Sequence, residues 1–457
     1  MRYKLFLLLL LALHAFCFAR ETPVTVQDCV PQFDSYLAEI VRAYHIPGMA
    51  FFISDPEKTL FSKCVGQCRG MDRQFFIGSM SKSYTALCIM QLAEKGLVNL
   101  DGDISAYLPD YAFAKKVSVR SLLNQTSGFD THMKLYNARL TKSYGSYEYA
   151  NVNYDLLGKI VEAVSGMSYD AYVREHVFLP LAMNDSMADA GKAKDSGKLL
   201  RGNRNCFGFF VRGDADYPTE KSWFHEPAGF LAITPADHAK YLRMYLNGGR
   251  TEQGGQIISS ESVDAVWYDN VPIGTKYDAY YGMGWNYMEW DGMKVVFHGG
   301  QVENYITYMF ILPERGLAVC FMVNGNDEFG MNALMDNAFW DSLSILNGEK
   351  PKKVNHAAYV LIHLALDVLY LCMILLSLFL LVRAFARKRK PVLMLLGYAV
   401  WPVFLLVFTK LLFDTPLWVV KSFVPDLFWV IVVCVTLSLA GGAVWLVKRL
   451  IRGSARA

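Results

Sequence analysis

Three long apolar segments close this chain, and they constrain it more than any other feature. They cover residues 357–382, 391–413 and 427–447. Each is long enough to cross the ~30 Å hydrocarbon core of a bilayer as a helix. "RAFARKRK" separates the first two and "KRLIRGSARA" ends the chain, whereas "DTPLWVVKSFVPD" between the second and third is nearly neutral. Positively charged loops stay on the cytoplasmic side. The first segment is therefore expected to run inward, residues 448–457 to form a cytoplasmic tail, and everything before residue 357 to lie outside the cytoplasm of an inner (cell) membrane. Lys350, Lys352 and Lys353 fall on the outer side.

The amino end agrees with that topology. "MRYKLFLLLLLALHAFCFAR" opens with Arg2 and Lys4, continues as a short apolar run and reaches the small residue Ala19. This is the pattern of a secretory signal peptide over residues 1–19. Residues 20–350 then form the extracytoplasmic domain, facing a periplasm or its equivalent, and 351–356 a linker.

The net charge of +3 hides a split. The leader carries +2 and residues 357–457 carry +8, which leaves −7 on residues 20–356. The basic balance belongs to the membrane part, so nothing points to nucleic acid. Six of the nine cysteines fall in the exported part, where disulfides are permitted. Cys64 and Cys68 are the nearest candidate pair, and Cys88 reads as a helix core residue. No Cys/His cluster has the spacing of zinc ligands, and neither a metal nor a cofactor is expected.

Within the exported part, "FDSYLAEIVRAY" reads as a helix, followed by strands at "GMAFFISD" and "KTLFSKCV". From Ser79 to about Met187 the pattern is mostly helical. "YDLLGKIVEAVSG" ends on Gly166, a C-cap signal, and "TPADHAKYLRMYLNGG" has Thr234 as N-cap and Pro235 in its first turn. After about Tyr280 the pattern turns to closely punctuated strands, "YGMGWNYMEW", "MKVVFHGG", "YITYMFILP" and "GLAVCFMVN". The helix "GMNALMDNAFWDSLSILNG" closes the domain. The expected fold is α+β: an antiparallel sheet assembled from both chain ends, flanked by helices, with a helical region inserted between.

Three short patterns can carry chemistry. Ser79 and Lys82, three apart at the head of "SMSKSYTALCIMQLAEKG", share a helix face. A lysine so placed can take the hydroxyl proton once burial destabilises its ammonium, and the helix terminus offers N–H groups to a developing oxyanion. Tyr149 and Asn151, in "YEYANVNYDLLG", precede another helix; the phenol can shuttle a proton and the amide can hold the lysine and a substrate amide. His298, Gly299 and Gly300, in "VVFHGGQVENY", close one strand, and two residues without side chains let a substrate backbone approach the strand edge. Taken singly, each pattern is also met as a capping serine, a packed tyrosine or a plain hairpin.

In this order they resemble the class C β-lactamase and penicillin-binding-protein-like serine hydrolases. "VSVRSLLNQTSGFD", with Asn124 and Gln125 at substituted positions, "PLAMNDS", "EPAGFLAITPADHAKYL" and "YGMGW" extend the resemblance over roughly residues 30–345. It implies an acyl-enzyme mechanism: Ser79 as nucleophile, Lys82 and Tyr149 sharing the base and acid roles in an order left open, Asn151 positioning Lys82 and substrate, and His298 standing where the family has lysine or histidine. The oxyanion would meet the N–H groups of Ser79 and Gln301. The leader, hydrolase domain and three apolar segments together also resemble the colibactin-type prodrug-activating peptidases, which remove an N-acyl-D-asparagine cap. "IGSMSK", "YANVNYDLLG" and "FHGGQV" carry that likeness, with Val302 where that group has asparagine and Asn304 two residues on. His225, in "FHEPAG", falls in its His-x-Pro-Ala element. This implies a peptide-like or acylated amino-acid substrate, with His225, Gln301 and Asn304 beside it. The other readings are a β-lactamase, D,D-peptidase or esterase, or a membrane sensor that keeps the fold without turnover. In the first apolar segment His363 and Asp367, four apart, are expected to form a polar pair in the bundle or a contact with substrate, a transporter or a second copy.

Overall fold

The computed structural model describes residues 25–215, 217–274, 278–385, 394 and 396–454. The leader expected over residues 1–19 and the last residues of the tail lie outside them.

The first helix, α1 (Val26–Ala43), begins at Thr25. Its side chain accepts from the Asp28 N–H while Asp28 reaches back to the cap, a reciprocal capping box. Strands β1 (Gly48–Ser54) and β2 (Thr59–Gly66) follow as a hairpin. Both lie in one antiparallel sheet with β7 (Val271–Pro272), β8 (Ala279–Tyr281), β9 (Asn286–Trp290), β10 (Met293–Val302), β11 (Tyr305–Leu312) and β12 (Leu317–Val323). The order is β2-β1-β12-β11-β10-β9-β8-β7. β1 pairs with β12, so the sheet joins the two ends of the domain as expected.

Both faces of this sheet are covered. Phe51, Phe321 and Phe310 pack toward α1 and α6 (Met331–Leu346), while Phe52, Met309 and Met322 face the inserted helices. That is why β1 and β12 read as unbroken apolar runs although the sheet is antiparallel: neither face meets water.

The inserted region holds α2 (Ser81–Glu94), α3 (Asn151–Ser165), the single turn α4 (Glu226–Gly229) and α5 (Pro235–Leu246). Both cap expectations hold. Gly166 ends α3 at φ 69°, and Thr234 accepts from the Asp237 N–H at the head of α5. Residues 124–150 are less helical than the pattern suggested, with one short turn, Leu135–Asn137. Two small pairings complete the domain: β3 (Phe75–Phe76) with β6 (Ala232–Ile233), and the hairpin β4 (Asn203–Cys206) with β5 (Phe209–Arg212).

Among the described residues, three helices are long and apolar enough to cross a membrane: α7 (His356–Arg383), α8 (Leu396–Phe413) and α10, whose span is Pro425–Ile451. The neutral segment between the last two is not a plain loop. It contains a short helix, α9 (Leu417–Phe423). A second correction concerns His363. Its Nε2 lies 2.9 Å from Asp327 Oδ2 in the hydrolase domain, so its partner is not Asp367. Helical spacing shows which residues share a face, but the stronger polar neighbour comes from the packed domain. Cys64 and Cys68 are neighbouring free thiols, not a disulfide, and Cys88 is buried in the core.

Candidate active site

Strand β3 delivers the chain into a tight turn, Gly78–Met80, from which α2 starts at Ser81. The turn presses against β10. Gly78 has φ 54°, and a Cβ there would lie 2.2 Å from the Gln301 nitrogen. A Cβ on Gly300 would lie 1.9 Å from the Ile77 carbonyl oxygen. Only glycine fits at either position, and the two contacts bring the backbone of Ser79 beside that of Gln301.

Ser79 stands on this turn at the edge of a cavity of about 430 Å³, with Tyr149, Asn151 and Gln301 also on its wall. Behind it, α2 is buried on all sides from Ser81 to Leu92, and Lys82 with it. The Lys82 Nζ lies 3.0 Å from Ser79 Oγ, 2.7 Å from Asn151 Oδ1 and 2.7 Å from the Ala228 carbonyl oxygen. A neutral amine fits this set. Its two hydrogens serve Asn151 and Ala228, and its lone pair is left for the Ser79 hydroxyl. Burial pulls the Lys82 pKa from 10.5 down to about 7, against the opposing charge of Asp155. The Tyr149 ring sits with its centroid 4.9 Å from Nζ. Burial raises the Tyr149 pKa, although its hydrogen bond with Ser79 works the other way, so it remains a phenol at neutral pH.

The structure thus gathers Ser79, Lys82, Tyr149, Asn151 and Gln301, with Gly299 and Gly300 beside them on β10. His298 lies behind the site, within reach of the Lys82 charge, whereas His225 and Asn304 lie elsewhere. His298 is buried; its Nδ1 donates to the Gly299 carbonyl at 2.6 Å and its Nε2 faces the Tyr281 hydroxyl at 3.4 Å. Burial, then the charge of Lys82, lowers its pKa to about 3, so it is a neutral prop for Tyr281 and not a cation for substrate. His225 faces a different cavity, lined by Asp155, Glu162 and Glu226. Asn304 is fully buried and its amide donates to the Gly213 carbonyl at 2.8 Å.

Two residues that the motifs did not single out matter here. The first is Ala228, whose carbonyl holds Lys82. The second is Asp155, which grips the start of α4: its carboxylate takes the His225 backbone N–H at 3.0 Å and the His225 Nδ1 at 2.9 Å. Burial disfavours charge on His225, yet the bond to Asp155 and its charge outweigh this and hold the pKa above its usual value. With the Thr219 carbonyl 2.9 Å from Nε2, both ring nitrogens face acceptors. Asp155 follows Asn151 by four residues on α3, a helical spacing that could have flagged it. Replacing it with asparagine removes the charge that favours the Lys82 ammonium. The pH at which kcat/KM is half-maximal is expected to move lower in Asp155→Asn than in the parent, read from a pH–rate profile.

The comparisons with known proteins agree with this fold. The beta-lactamase family profile matches residues 33–338. The chain belongs to the beta-lactamase family. The family makes it an enzyme of the serine hydrolase kind. Among the relatives of this beta-lactamase family member, penicillin-binding protein 4 of Amycolatopsis lactamdurans is 26% identical over 321 residues, 62% of this chain and 82% of that one. Protein flp of Staphylococcus aureus (strain MW2) is 22% identical over 336 residues, 66% of this chain and 64% of that one. The octameric penicillin-binding protein homologue from Pyrococcus abyssi superposes with a TM-score of 0.61 at 25% identity, covering 71% of this chain and 78% of that one. The D-amino acid amidase from Ochrobactrum anthropi SV3, solved with L-phenylalanine amide, shares the fold with a TM-score of 0.55 at 23% identity, covering 65% and 92%.

Proposed function

We propose that this chain is a membrane-tethered serine amidohydrolase, acting outside the cytoplasm on the amide of an N-acyl-D-amino-acid type substrate. The observation that carries the proposal is the triple seat of the Lys82 Nζ between Ser79, Asn151 and Ala228. Lys82 near neutrality supports a base at that position, and Tyr149 held as a phenol supports a proton donor there. Lys82 is the base and Tyr149 the proton donor. Ser79 Oγ attacks the carbonyl carbon as its proton passes to Lys82, and the carbonyl oxygen gathers charge against the N–H groups of Ser79 and Gln301. The C–N bond then breaks, and the leaving nitrogen takes a proton from Tyr149, which is replenished from Lys82. Water attacks the resulting ester, its proton going to Lys82. The acid leaves and Ser79 regains its hydrogen.

The D-configuration is supported by the name of one structural neighbour, a D-amino acid amidase. Tethering is supported by the three apolar helices. The orientation is supported by their charges: α9, which joins α8 to α10 beside the hydrolase domain, lies opposite the end bearing Arg383, Lys448 and Arg449. The test is a panel of matched N-acyl-D- and N-acyl-L-amino-acid amides and a fluorescent penicillin, each with the full chain and with Ser79→Ala. Ser79-dependent cleavage of the D-series is the expected result. Ser79-dependent turnover of only the L-series or only the penicillin would replace the proposed substrate.

A further inference from the structure

The hairpin β4–β5 is built inside out. Strand β4 turns Asn203 and Asn205 inward, and both are buried. The Asn203 amide donates to the Asn324 carbonyl at 2.6 Å; the Asn205 amide lies 3.2 Å from Asp327 Oδ2 and 3.2 Å from the Tyr359 hydroxyl of α7. Strand β5 turns Phe209 and Val211 outward, 75% and 53% exposed. Alternate residues of a strand face opposite ways, and a strand beside water carries its polar residues on the outside. Here that order is reversed.

The turn between the two strands adds another ring. Phe207 and Gly208 both have positive φ, 53° and 78°, as in a type I′ turn. Asparagine, aspartate or glycine usually takes the first such position, because a bulky residue is strained there. Phe207 takes it instead, and its side chain is exposed.

This tip lies against the membrane helices. The Phe207 ring centroid is 6.0 Å from that of Tyr370 on α7, and the Phe207 N–H donates at 3.1 Å to Asp426 at the head of α10. Gly208 backs onto His363, where an added Cβ would lie 3.4 Å from the histidine Cβ. From His363 to Arg383, α7 covers about 30 Å at 1.5 Å per residue, the thickness of a hydrocarbon core. From Asp426 to Lys448, α10 covers about 33 Å. Both helices therefore meet the tip where hydrocarbon gives way to headgroups. Leu364 of α7 and Trp429 of α10, near the same level, are also exposed apolar residues. A second copy of the chain could cover the hairpin too, but its apolar face runs on into surfaces that lipid already covers.

We infer that the β4–β5 hairpin is a fourth membrane contact, with Phe207, Phe209 and Val211 seated among the phospholipid acyl chains beside α7 and α10, at the boundary nearer the hydrolase domain. This inference rests on the membrane reading of the three helices and is independent of the chemistry at Ser79.

The experiment places the full chain in phosphatidylcholine nanodiscs. Phe209→Trp is compared with Leu97→Trp, an exposed position just beyond α2 at the end away from Ser79. The emission that Phe209→Trp adds to the parent is expected to lie to the blue of that added by Leu97→Trp. It should be lost when the acyl chains carry bromine, while the Leu97→Trp emission is kept. Equal emission and equal quenching at the two positions overturn the contact. Blue-shifted emission that bromine leaves intact also overturns it, since protein and not lipid then covers the hairpin. The unmutated chain gives a second reading. A diazirine-bearing phosphatidylcholine, photolysed in the nanodisc, should leave adducts on α7, on α10 and on the peptide holding Phe207, Phe209 and Val211. Adducts on the helices without any on that peptide overturn the hairpin contact and leave the membrane reading intact. No adducts on the helices overturn both.

Discussion

Ser79→Ala will reduce hydrolysis by about 10⁴-fold or more, the scale on which loss of a nucleophile is felt in serine hydrolases. The reason is chemical: no other hydroxyl lies against the Lys82 Nζ among its hydrogen-bond partners, Ser79, Asn151 and Ala228. The substitution deletes one oxygen at a half-buried position on the cavity wall. The fold should therefore survive with its thermal midpoint nearly unchanged, and substrate should still bind. Parallel measurements of kcat, KM and thermal unfolding check this. A variant that keeps a tenth of the parent rate would move the nucleophile elsewhere.

Lys82→Arg will cost about 10²- to 10⁴-fold in kcat/KM, the range attributed to a positioned base. Arginine keeps a cation at this site at every working pH and cannot accept the hydroxyl proton. In the parent the base must be neutral, and burial sets that transition at about 7. Activity should therefore rise as pH increases through about 7 and then hold, whereas the arginine variant should show no such rise. The same shift has a consequence for stability. Folding lowers the lysine pKa from 10.5 to about 7, so between those values the unfolded chain binds the proton that the folded chain refuses. Stability from this group is complete above about 10.5 and is lost as pH falls toward about 7. Urea unfolding at pH 7 and pH 10 would show the difference, and it should vanish in Lys82→Met.

Much of this was legible in the chain. Ser79 and Lys82 could be placed on one face because helical spacing leaves little choice, and Thr234, Gly166 and the apolar runs of β1 and β12 obey equally local rules. What escaped depends on contacts distant in sequence. The direction of His225 is set by Asp155, 70 residues away, and that of His363 by Asp327, 36 residues away. Asn304 stands near the glycine pair in sequence, but its side chain is packed against Gly202. Its burial was decided by a loop with no motif of its own. Helix α9 escaped for another reason. "DTPLWVVKSFVPD" is too short and too neutral to announce a helix, although Val420, Phe423, Val424 and Leu427 repeat at helical spacing.

The most direct test treats the full chain with a fluorophosphonate across pH and maps the adduct by peptide mass spectrometry. The account predicts a single adduct on the peptide bearing Ser79, forming faster as pH rises through about 7 and hardly at all in Lys82→Arg. Labelling at another residue, or at the same speed with arginine at position 82, would contradict it.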